Sequence, residues 1–343
     1  TIANWLGLRL ALCRSAARHF ACVGIEPITF EGRGVNMQSS ALYLILLQAI
    51  FVLSWSSGFI GARLGTEDAG AISLLFWRFL LVSICLLPIV AHRLGALSWA
   101  QIRYNAVIGF LAQFAYLVSV YIAIRGGLPA GIAAIICALQ PLITASMSRK
   151  DQHERSGRQE WLVLGVGFPG VSVVVLGEYS LSTTRLELWL YALPLIAAVT
   201  LSIATLYQRR QSVLATDHSK DGLLMPLFLQ STTTLVLLAA TGLPLGLIEV
   251  PASTQVWAAV AWLTLFSTFI AYLSLWILLT KLSATRVSAL VYLEPPVTLL
   301  WAALMFGDAI HWTTYAGVAV VAAGIAIARS PRRVTSPAHA VER

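Results

Sequence analysis

Two ionisable residues stand near the middle of long apolar runs, Arg78 in the run 71–91 and Glu294 in the run 286–306. A charge at the centre of a bilayer costs at least about 2.5–3.5 kcal/mol on insertion scales, so such a residue faces a bundle interior or a water-filled cavity. The functional hypothesis is that Arg78 attracts a carboxylate-bearing substrate and that Glu294 attracts an amine or carries a proton. The structural alternative is that both residues hold helices together, through each other or through backbone carbonyls.

Prolines accompany the second of these charges. Pro295 and Pro296 directly follow Glu294, and Pro141 follows Gln140 in an earlier apolar run. A proline removes a backbone donor and leaves an earlier carbonyl unpaired, and helices interrupted near mid-membrane expose backbone polar groups to binding sites. We predict a hinge or gate at these prolines. The alternative is a kink that improves packing, with Glu294 held at the break by hydrogen bonds to a partner such as Gln140.

Four further side chains complete the predicted substrate cavity: Trp55, Tyr116, Gln140 and Tyr292. Aromatic rings can stack on a ligand ring or surround an ammonium group. Tyr292 lies two positions before Glu294, and Tyr116 has a counterpart, Tyr272, in the second half of the chain. Ordinary packing or anchoring at the membrane interface is the alternative for each ring.

Residue patterns typical of catalysis are missing from the sequence. No histidine falls within an apolar run, no His, Cys or acidic cluster has metal-ligand spacing, and neither a phosphate-binding loop nor a nucleophile elbow occurs. We interpret the four cysteines (Cys13, Cys22, Cys85 and Cys137) as small buried apolar residues. The sequence therefore predicts a protein that is not an enzyme, with no catalytic residues, no metal and no cofactor.

The elements that position these residues must be membrane spans. Of the 343 residues, 58% are hydrophobic and 11% are charged, the mean hydropathy is +0.79, and soluble domains are about a quarter charged. A span needs about 20 mostly apolar residues. The predicted spans are 41–62, 71–91, 104–124, 128–147, 160–177, 188–207, 223–246, 256–279, 286–306 and 312–328. The predicted fold class is therefore an all-α membrane protein with ten transmembrane helices.

Basic residues fall mostly on one side of this arrangement, the side that carries both termini. That side holds Arg9, Arg14, Arg18, Arg33, Arg93, Arg103, Arg149, Lys150, Arg155, Arg158, Arg209, Arg210, Lys220, Lys281, Arg286, Arg329, Arg332, Arg333 and Arg343. The other side holds only Arg63, Arg125 and Arg185. By the positive-inside rule, both termini are cytoplasmic. The net charge of +8 thus lies in loops beside the membrane, which argues against nucleic-acid binding.

The two ends of the chain differ from its apolar middle. Residues 1–36 contain no convincing span and no signal peptide. The first methionine is Met37, directly before the first span, so we predict that the natural start is Met37 and that residues 1–36 are an upstream extension. The alternative is a short amphipathic cytoplasmic helix. Residues 329–343 are rich in proline, serine and arginine and predict a disordered cytoplasmic tail.

The two halves of the chain align with a shift of 154 residues, as from position 141 to position 295. The aligned segments are Leu139-Gln140-Pro141 with Leu293-Glu294-Pro295, Glu154 with Asp308, Trp161 with Tyr315, Gly170 with Gly324 and, with two residues of loop difference, Ala115-Tyr116-Leu117 with Ala271-Tyr272-Leu273. The repeats are predicted at 37–180 and 186–328. Because each repeat holds five spans, an odd number, the second enters the membrane from the opposite face. Inverted repeats are typical of secondary transporters.

Several short segments carry a resemblance to a known family. They are Trp55-Ser56-Ser57-Gly58-Phe59, Trp77-Arg78-Phe79, Ala138-Leu139-Gln140-Pro141-Leu142, Leu293-Glu294-Pro295 and Phe306-Gly307-Asp308, followed by Gly317 and Gly324. Over about residues 40–328 the chain resembles the EamA-type branch of the drug/metabolite transporter superfamily. The family usually shows Gly-Glu where this chain has His153-Glu154 and Gly307-Asp308. The resemblance implies a ten-span inverted-repeat fold that exports metabolites, amino acids or related compounds.

These features together predict a secondary transporter of the cytoplasmic membrane. It would export small metabolites, such as amino acids or related amphipathic compounds, by alternating access around a central cavity. A membrane-embedded enzyme or lipid-processing protein, or a channel, is the alternative. The expected partners are a small-molecule substrate and the lipid bilayer. Small residues along spans five and ten, such as Gly170 and Gly324, let helices approach closely, either within the monomer or in a homodimer.

Overall fold

Helices make up the regular structure of the described residues. The computed structural model describes residues 37–147, 169–170, 172–173, 176–177, 180, 186–214, 224–282, 290–291, 293–308 and 310–329, and no strand occurs among them. The α-helices in these ranges are α1 (Met37–Thr66), α2 (Ala71–Val90), α3 (Trp99–Ile108), α4 (Tyr116–Arg125), α5 (Ala130–Cys137), α6 (Gln140–Met147), α7 (Leu188–Leu214), α8 (Leu224–Gly242), α9 (Thr254–Trp262), α10 (Ala271–Lys281), α11 (Glu294–Phe306) and α12 (Trp312–Arg329). A 3-10 turn, Ala91–Ala96, extends α2, and π-helical segments join α3 to α4 (Gly109–Ala115) and α9 to α10 (Leu263–Ile270).

Six of the described helices are long and apolar enough to cross a membrane. They are Leu42–Thr66, Ala71–Ala96, Trp99–Arg125, Leu188–Gln208, Leu224–Gly242 and Thr254–Leu275. They coincide with the first, second, third, sixth, seventh and eighth predicted spans. The all-helical membrane class is therefore confirmed, whereas the number of ten spans and the side of the termini stay predictions.

The other predicted spans have different outcomes. The fourth consists of two helices, α5 and α6, separated by a turn at Ala138 and Leu139. The ninth contains α11, a shorter apolar helix with proline in its first turn, and the tenth contains α12. Most of the fifth, 160–177, lies outside the described residues, as do residues 1–36 and the tail after Arg329.

Helix α1 illustrates why these segments suit a bilayer. Its Phe51 and Ile60 are almost completely buried, whereas Ile45 is 61% exposed and Leu46 is 53% exposed. A helix that is apolar on both its packed and its exposed face would be poorly solvated by water. In a bilayer the exposed leucines and isoleucines face lipid, and the helix satisfies its own backbone groups internally.

Spans four and nine, which the repeat shift relates to each other, run in opposite directions. Pro129, which directly precedes α5, lines the same pocket as Asp308, which follows α11, together with Arg63. Helix α5 therefore begins at the end of the bundle where α11 ends, which we call the Arg63 end. The two helices pack together, and Gly131 on α5 lies directly against Leu299 on α11.

Gly109 brings the first π-helical segment against helix α8 and provides a test of the packing. A Cβ atom added at Gly109 would lie 2.6 Å from the carbonyl oxygen of Gln230. A backbone atom cannot move aside as a flexible side chain can, so we expect Gly109→Ala to lower the stability by about 1–3 kcal/mol. The measurement is the melting temperature of the purified protein in detergent.

Gly95→Ala is the matched control for this substitution. No described atom lies within 4 Å of the Cβ that it adds, so its melting temperature should stay the same or rise slightly. Equal melting temperatures for the Gly109 and Gly95 variants would contradict the close approach of the two helices.

Candidate functional site

A cavity lies inside the bundle, among side chains from both halves of the chain. Its volume is about 80 Å³, several times the space that one buried water needs. The residues that line it are Trp55, Gly58, Phe59, Arg78, Phe79, Ala112, Gln113, Tyr116, Leu117, Val120, Tyr121, Leu201, Ser267, Thr268 and Tyr272. Among these described residues Arg78 alone carries a charge, and the rest of the wall is mainly apolar or aromatic.

Arg78 projects from the middle of α2 and is only 4% exposed. Its Nη1 donates to the Tyr121 hydroxyl at 2.8 Å, and its Nη2 donates to the hydroxyls of Thr268 at 3.0 Å and Ser267 at 3.3 Å. Nε has no partner among the described residues. No described carboxylate forms an ion pair with Arg78. The two ion pairs among the described residues both involve Arg63. Arg78 is thus a buried cation with neutral partners.

The two π-helical segments supply three of the uncharged polar side chains that line the cavity with Arg78. Gln113 lies in the first segment, and Ser267 and Thr268 lie in the second. The segments begin at residues 109 and 263, which are 154 residues apart, the shift that aligns the two halves. The Thr268 hydroxyl also donates to the carbonyl of Leu263 at 3.1 Å, which leaves its lone pairs free to accept from Arg78. Short π-helical turns are frequent at functional sites.

Aromatic side chains form much of the remaining wall. Trp55 and Tyr272 have ring centroids 5.7 Å apart, and Tyr116 lines the same cavity. Tyr116 and Tyr272 each follow a π-helical segment, so they are counterparts in the two halves. The structure therefore brings together three of the predicted site residues, Arg78, Trp55 and Tyr116.

Glu294 lies close to this cavity but does not line it. It is the first residue of α11 and only 6% exposed. Its carboxyl group lies within hydrogen-bonding reach of Trp55, its backbone carbonyl accepts from Ser56 at 3.4 Å, and its Oε1 has no partner among the described residues. Glu294 and Arg78 do not form an ion pair with each other in the described structure. Glu294 thus stands at a helix start beside Trp55.

Gln140 makes contacts that differ from the predicted ones, which were with the substrate or with Glu294. Its side-chain amide donates to Thr144 and Thr205, both at 3.3 Å, and its backbone carbonyl accepts from Ser202 at 2.9 Å. It therefore connects α6 to α7 and is absent from the described lining of the Arg78 cavity.

Tyr292 and three prolines are the remaining predicted residues. Tyr292 lies outside the described residues. Pro141 lies in the first turn of α6, and Pro295 and Pro296 lie in the first turn of α11. Proline is well tolerated at such positions because its missing donor would be unpaired in any case. The two helix starts occupy equivalent places in the two halves, and a hinge there stays a prediction.

The Arg63 end of the bundle is connected by polar contacts between the two halves. Arg63 forms an ion pair with Asp308, its guanidinium lies 4.0 Å from the ring centroid of Phe306, and its Nε is 3.9 Å from Glu67. A second link joins α2 to the segment before α9, since Trp77 donates to the carbonyl of Glu249 at 2.8 Å. A pocket of about 370 Å³ lies at this end.

Comparison with known proteins adds a family assignment to this geometry. The model of the EamA-like transporter family matches residues 42–176 and again residues 188–330. The two matches cover most of the chain and correspond to its two halves, so they agree with the internal repeat.

Curated relatives and a solved structure cover most of the chain as well. A probable amino-acid metabolite efflux pump of Salmonella typhimurium is 26% identical over 291 residues, which are 82% of this chain and 93% of the relative. An uncharacterised inner membrane transporter of Escherichia coli is 24% identical over 283 residues, 81% of this chain and 88% of the relative. One crystal structure, 20% identical with a TM-score of 0.57, covers 84% of this chain and 97% of its own, which shows the fold alone.

Proposed function

The chain belongs to the EamA-like transporter family, and from this premise we propose that it is a secondary transporter that exports small metabolites across the cytoplasmic membrane. The substrates would be amino acids or related amphipathic compounds. Transport would occur by alternating access around the cavity that Arg78 lines, with both termini on the cytoplasmic side.

One observation carries the proposal: the Arg78 cavity is built from equivalent parts of the two repeats. Gln113 and Tyr116 come from the first repeat, and Thr268 and Tyr272 come from the second. In an inverted-repeat transporter, a site at the interface of the repeats can be reached from either side when the two halves exchange conformations. The polar contacts at the Arg63 end would then close one of the two routes.

The substrate class rests on the relatives and on the wall of the cavity. A relative is named as a probable amino-acid metabolite efflux pump, and the cavity combines one cation with aromatic and aliphatic side chains. Ligand sites commonly pair an apolar wall with a few polar groups that fix orientation. An amphipathic metabolite with one acidic group suits that combination.

Counter-flow in proteoliposomes tests the proposal against its alternatives. Labelled amino acids, nucleosides and cationic drugs are offered to vesicles with and without unlabelled compound inside, and with and without a pH gradient. Saturable uptake that is stimulated from the opposite side would establish a carrier, because a channel shows no such stimulation. No movement of any compound by folded protein would reject the transporter and favour the membrane-enzyme alternative.

The role of Glu294 is tested by the pH dependence of transport. Its position beside Trp55, outside the cavity lining, favours a structural role, and a glutamine can accept the same hydrogen bond. We therefore expect Glu294→Gln to keep the pH profile of counter-flow and to lose less than about tenfold in rate, or about 1.4 kcal/mol. Loss of the pH dependence in this variant would instead assign Glu294 as the proton carrier.

A further inference from the structure

We propose that the cavity recognises the carboxylate group of its ligand through Arg78 and does not require an amine, so that simple organic carboxylates are ligands as well as amino acids. The inference rests on the proposed function in one respect, that the cavity is the substrate site. It narrows the ligand to amphipathic compounds that carry a carboxylate group.

The first step concerns the hydrogen-bonding capacity of Arg78. A guanidinium group has five donors in a rigid fork that matches a carboxylate. Tyr121, Thr268 and Ser267 accept from Nη1 and Nη2, and Nε is buried without a described partner. The bond to Ser267, at 3.3 Å, is the longest of the three. A carboxylate that entered the cavity could take the place of that hydroxyl and also accept from Nε.

The second step concerns charge. A buried cation is costly unless an anion compensates it, and none of the described lining residues is acidic. Glu294, the acidic residue that the sequence predicts for the site, lies beside Trp55 outside the lining and forms no described ion pair with Arg78. A ligand that brings one negative charge would compensate Arg78, whereas a cationic ligand would add to an uncompensated charge.

The third step concerns the rest of the ligand. Phe79, Tyr116 and Tyr272 give the cavity an aromatic wall, with Trp55 packed on Tyr272. Such a wall favours an aliphatic or aromatic body, and a body as large as a phenyl ring requires this cavity of about 80 Å³ to widen. The faces of these rings can tolerate an ammonium group, but no described carboxylate in the wall is available to select one. The presence or absence of the amine should therefore change affinity much less than the presence of the acid.

Calorimetric titration of the purified full-length protein tests this selectivity without any transport step. The probes are 3-phenylpropanoate, hexanoate and phenylalanine, each compared with its carboxamide, and phenethylamine as a cation without an acid. We expect each acid that binds to do so at least about tenfold more tightly than its amide, as for a charge-assisted hydrogen bond worth about 1.5–3 kcal/mol. Removing the amine from phenylalanine should change affinity less than that. Equal binding of acids and amides, preferential binding of phenethylamine, or no binding of any acid at millimolar concentration would overturn the proposal.

Two variants locate the selectivity. Arg78→Gln should remove the preference for the acid while leaving amide binding near its original value. Arg103→Gln removes the same charge from an exposed position on α3 and should keep the preference. An acid preference that survives in folded Arg78→Gln protein would show that the anion binds elsewhere.

The binding result and the transport result can be read separately. Acid-selective binding without counter-flow would support the anion site and reject the carrier. Counter-flow of a compound without any preference for acids would support the carrier and reject the anion site.

Discussion

Arg78→Lys is expected to slow transport by about tenfold, and Arg78→Gln by about a hundredfold, with folded protein recovered in both cases. A hydrogen bond to a charged group contributes about 1.5–3 kcal/mol, which corresponds to about 10-fold to 150-fold. Lysine keeps the charge but offers a point donor in place of the bidentate fork. Folding should persist because the partners left behind, Tyr121, Thr268 and Ser267, are neutral hydroxyls. The measurement is the initial rate of counter-flow, with elution in size-exclusion chromatography as the folding check.

The order of the two variants distinguishes a binding role from a structural one. If Arg78 only holds α2 to the second π-helical segment, lysine and glutamine can both donate to Thr268, and the two variants should behave alike. If Arg78 binds an anion, lysine should retain part of the activity that glutamine loses. Normal kinetics in folded Arg78→Lys would reject the bidentate contact.

Charge and aromatic content made part of the site predictable from the sequence. Arg78 stands out because a cation in an apolar run is costly and must have a polar environment. Ring type predicts Trp55, and ring type together with the counterpart Tyr272 predicts Tyr116. Both residues line the cavity. The all-helical class follows from long apolar runs, since composition over about 20 residues is a strong signal.

The parts of the site that escaped prediction depend on tertiary contacts or on local helix geometry. Gln113, Ser267 and Thr268 are uncharged, and such residues are common in membrane helices because they bond readily to neighbours. A π-helical turn adds one residue to a helix without changing its apolar composition, so a hydropathy pattern does not reveal it. The break at Ala138 and Leu139 within span four is hidden for the same reason. Gln140 has the right chemistry for a ligand contact, but the packing of α6 on α7 places its side chain where it hydrogen-bonds to Thr205.

Weakening the ion pair between Arg63 and Asp308 is expected to open the route to the cavity from the Arg63 end. The two side chains are 28% and 26% exposed, and pairs near the surface contribute about 0.2–1 kcal/mol. Asp308→Asn should therefore raise the fraction of molecules that are open at the Arg63 end by up to about fivefold. The measurement is the labelling rate of a single cysteine at Ser267 by an impermeant thiol reagent, added from each side of the vesicle in turn. The four native cysteines are replaced by alanine beforehand.

A charge exchange shows whether the pair itself, and not the local fold, controls that route. Arg63→Asp and Asp308→Arg should each raise labelling from one side, and the double variant should return it towards the starting rate. All three variants are made in a Glu67→Gln background, which avoids a new repulsion between positions 63 and 67. Glu67→Gln alone is the matched control, because Glu67 lies 3.9 Å from Arg63 and is 49% exposed, and it should change labelling little.

If the double variant labels as fast as the single ones, the pair does not hold the two halves together. Closure at that end would then rest on neutral contacts, such as the hydrogen bond from Trp77 to the backbone carbonyl of Glu249. If the labelling rate returns to its starting value only in the double variant, this one electrostatic contact biases the exchange between the two access states. A population shift requires such a bias of any gate.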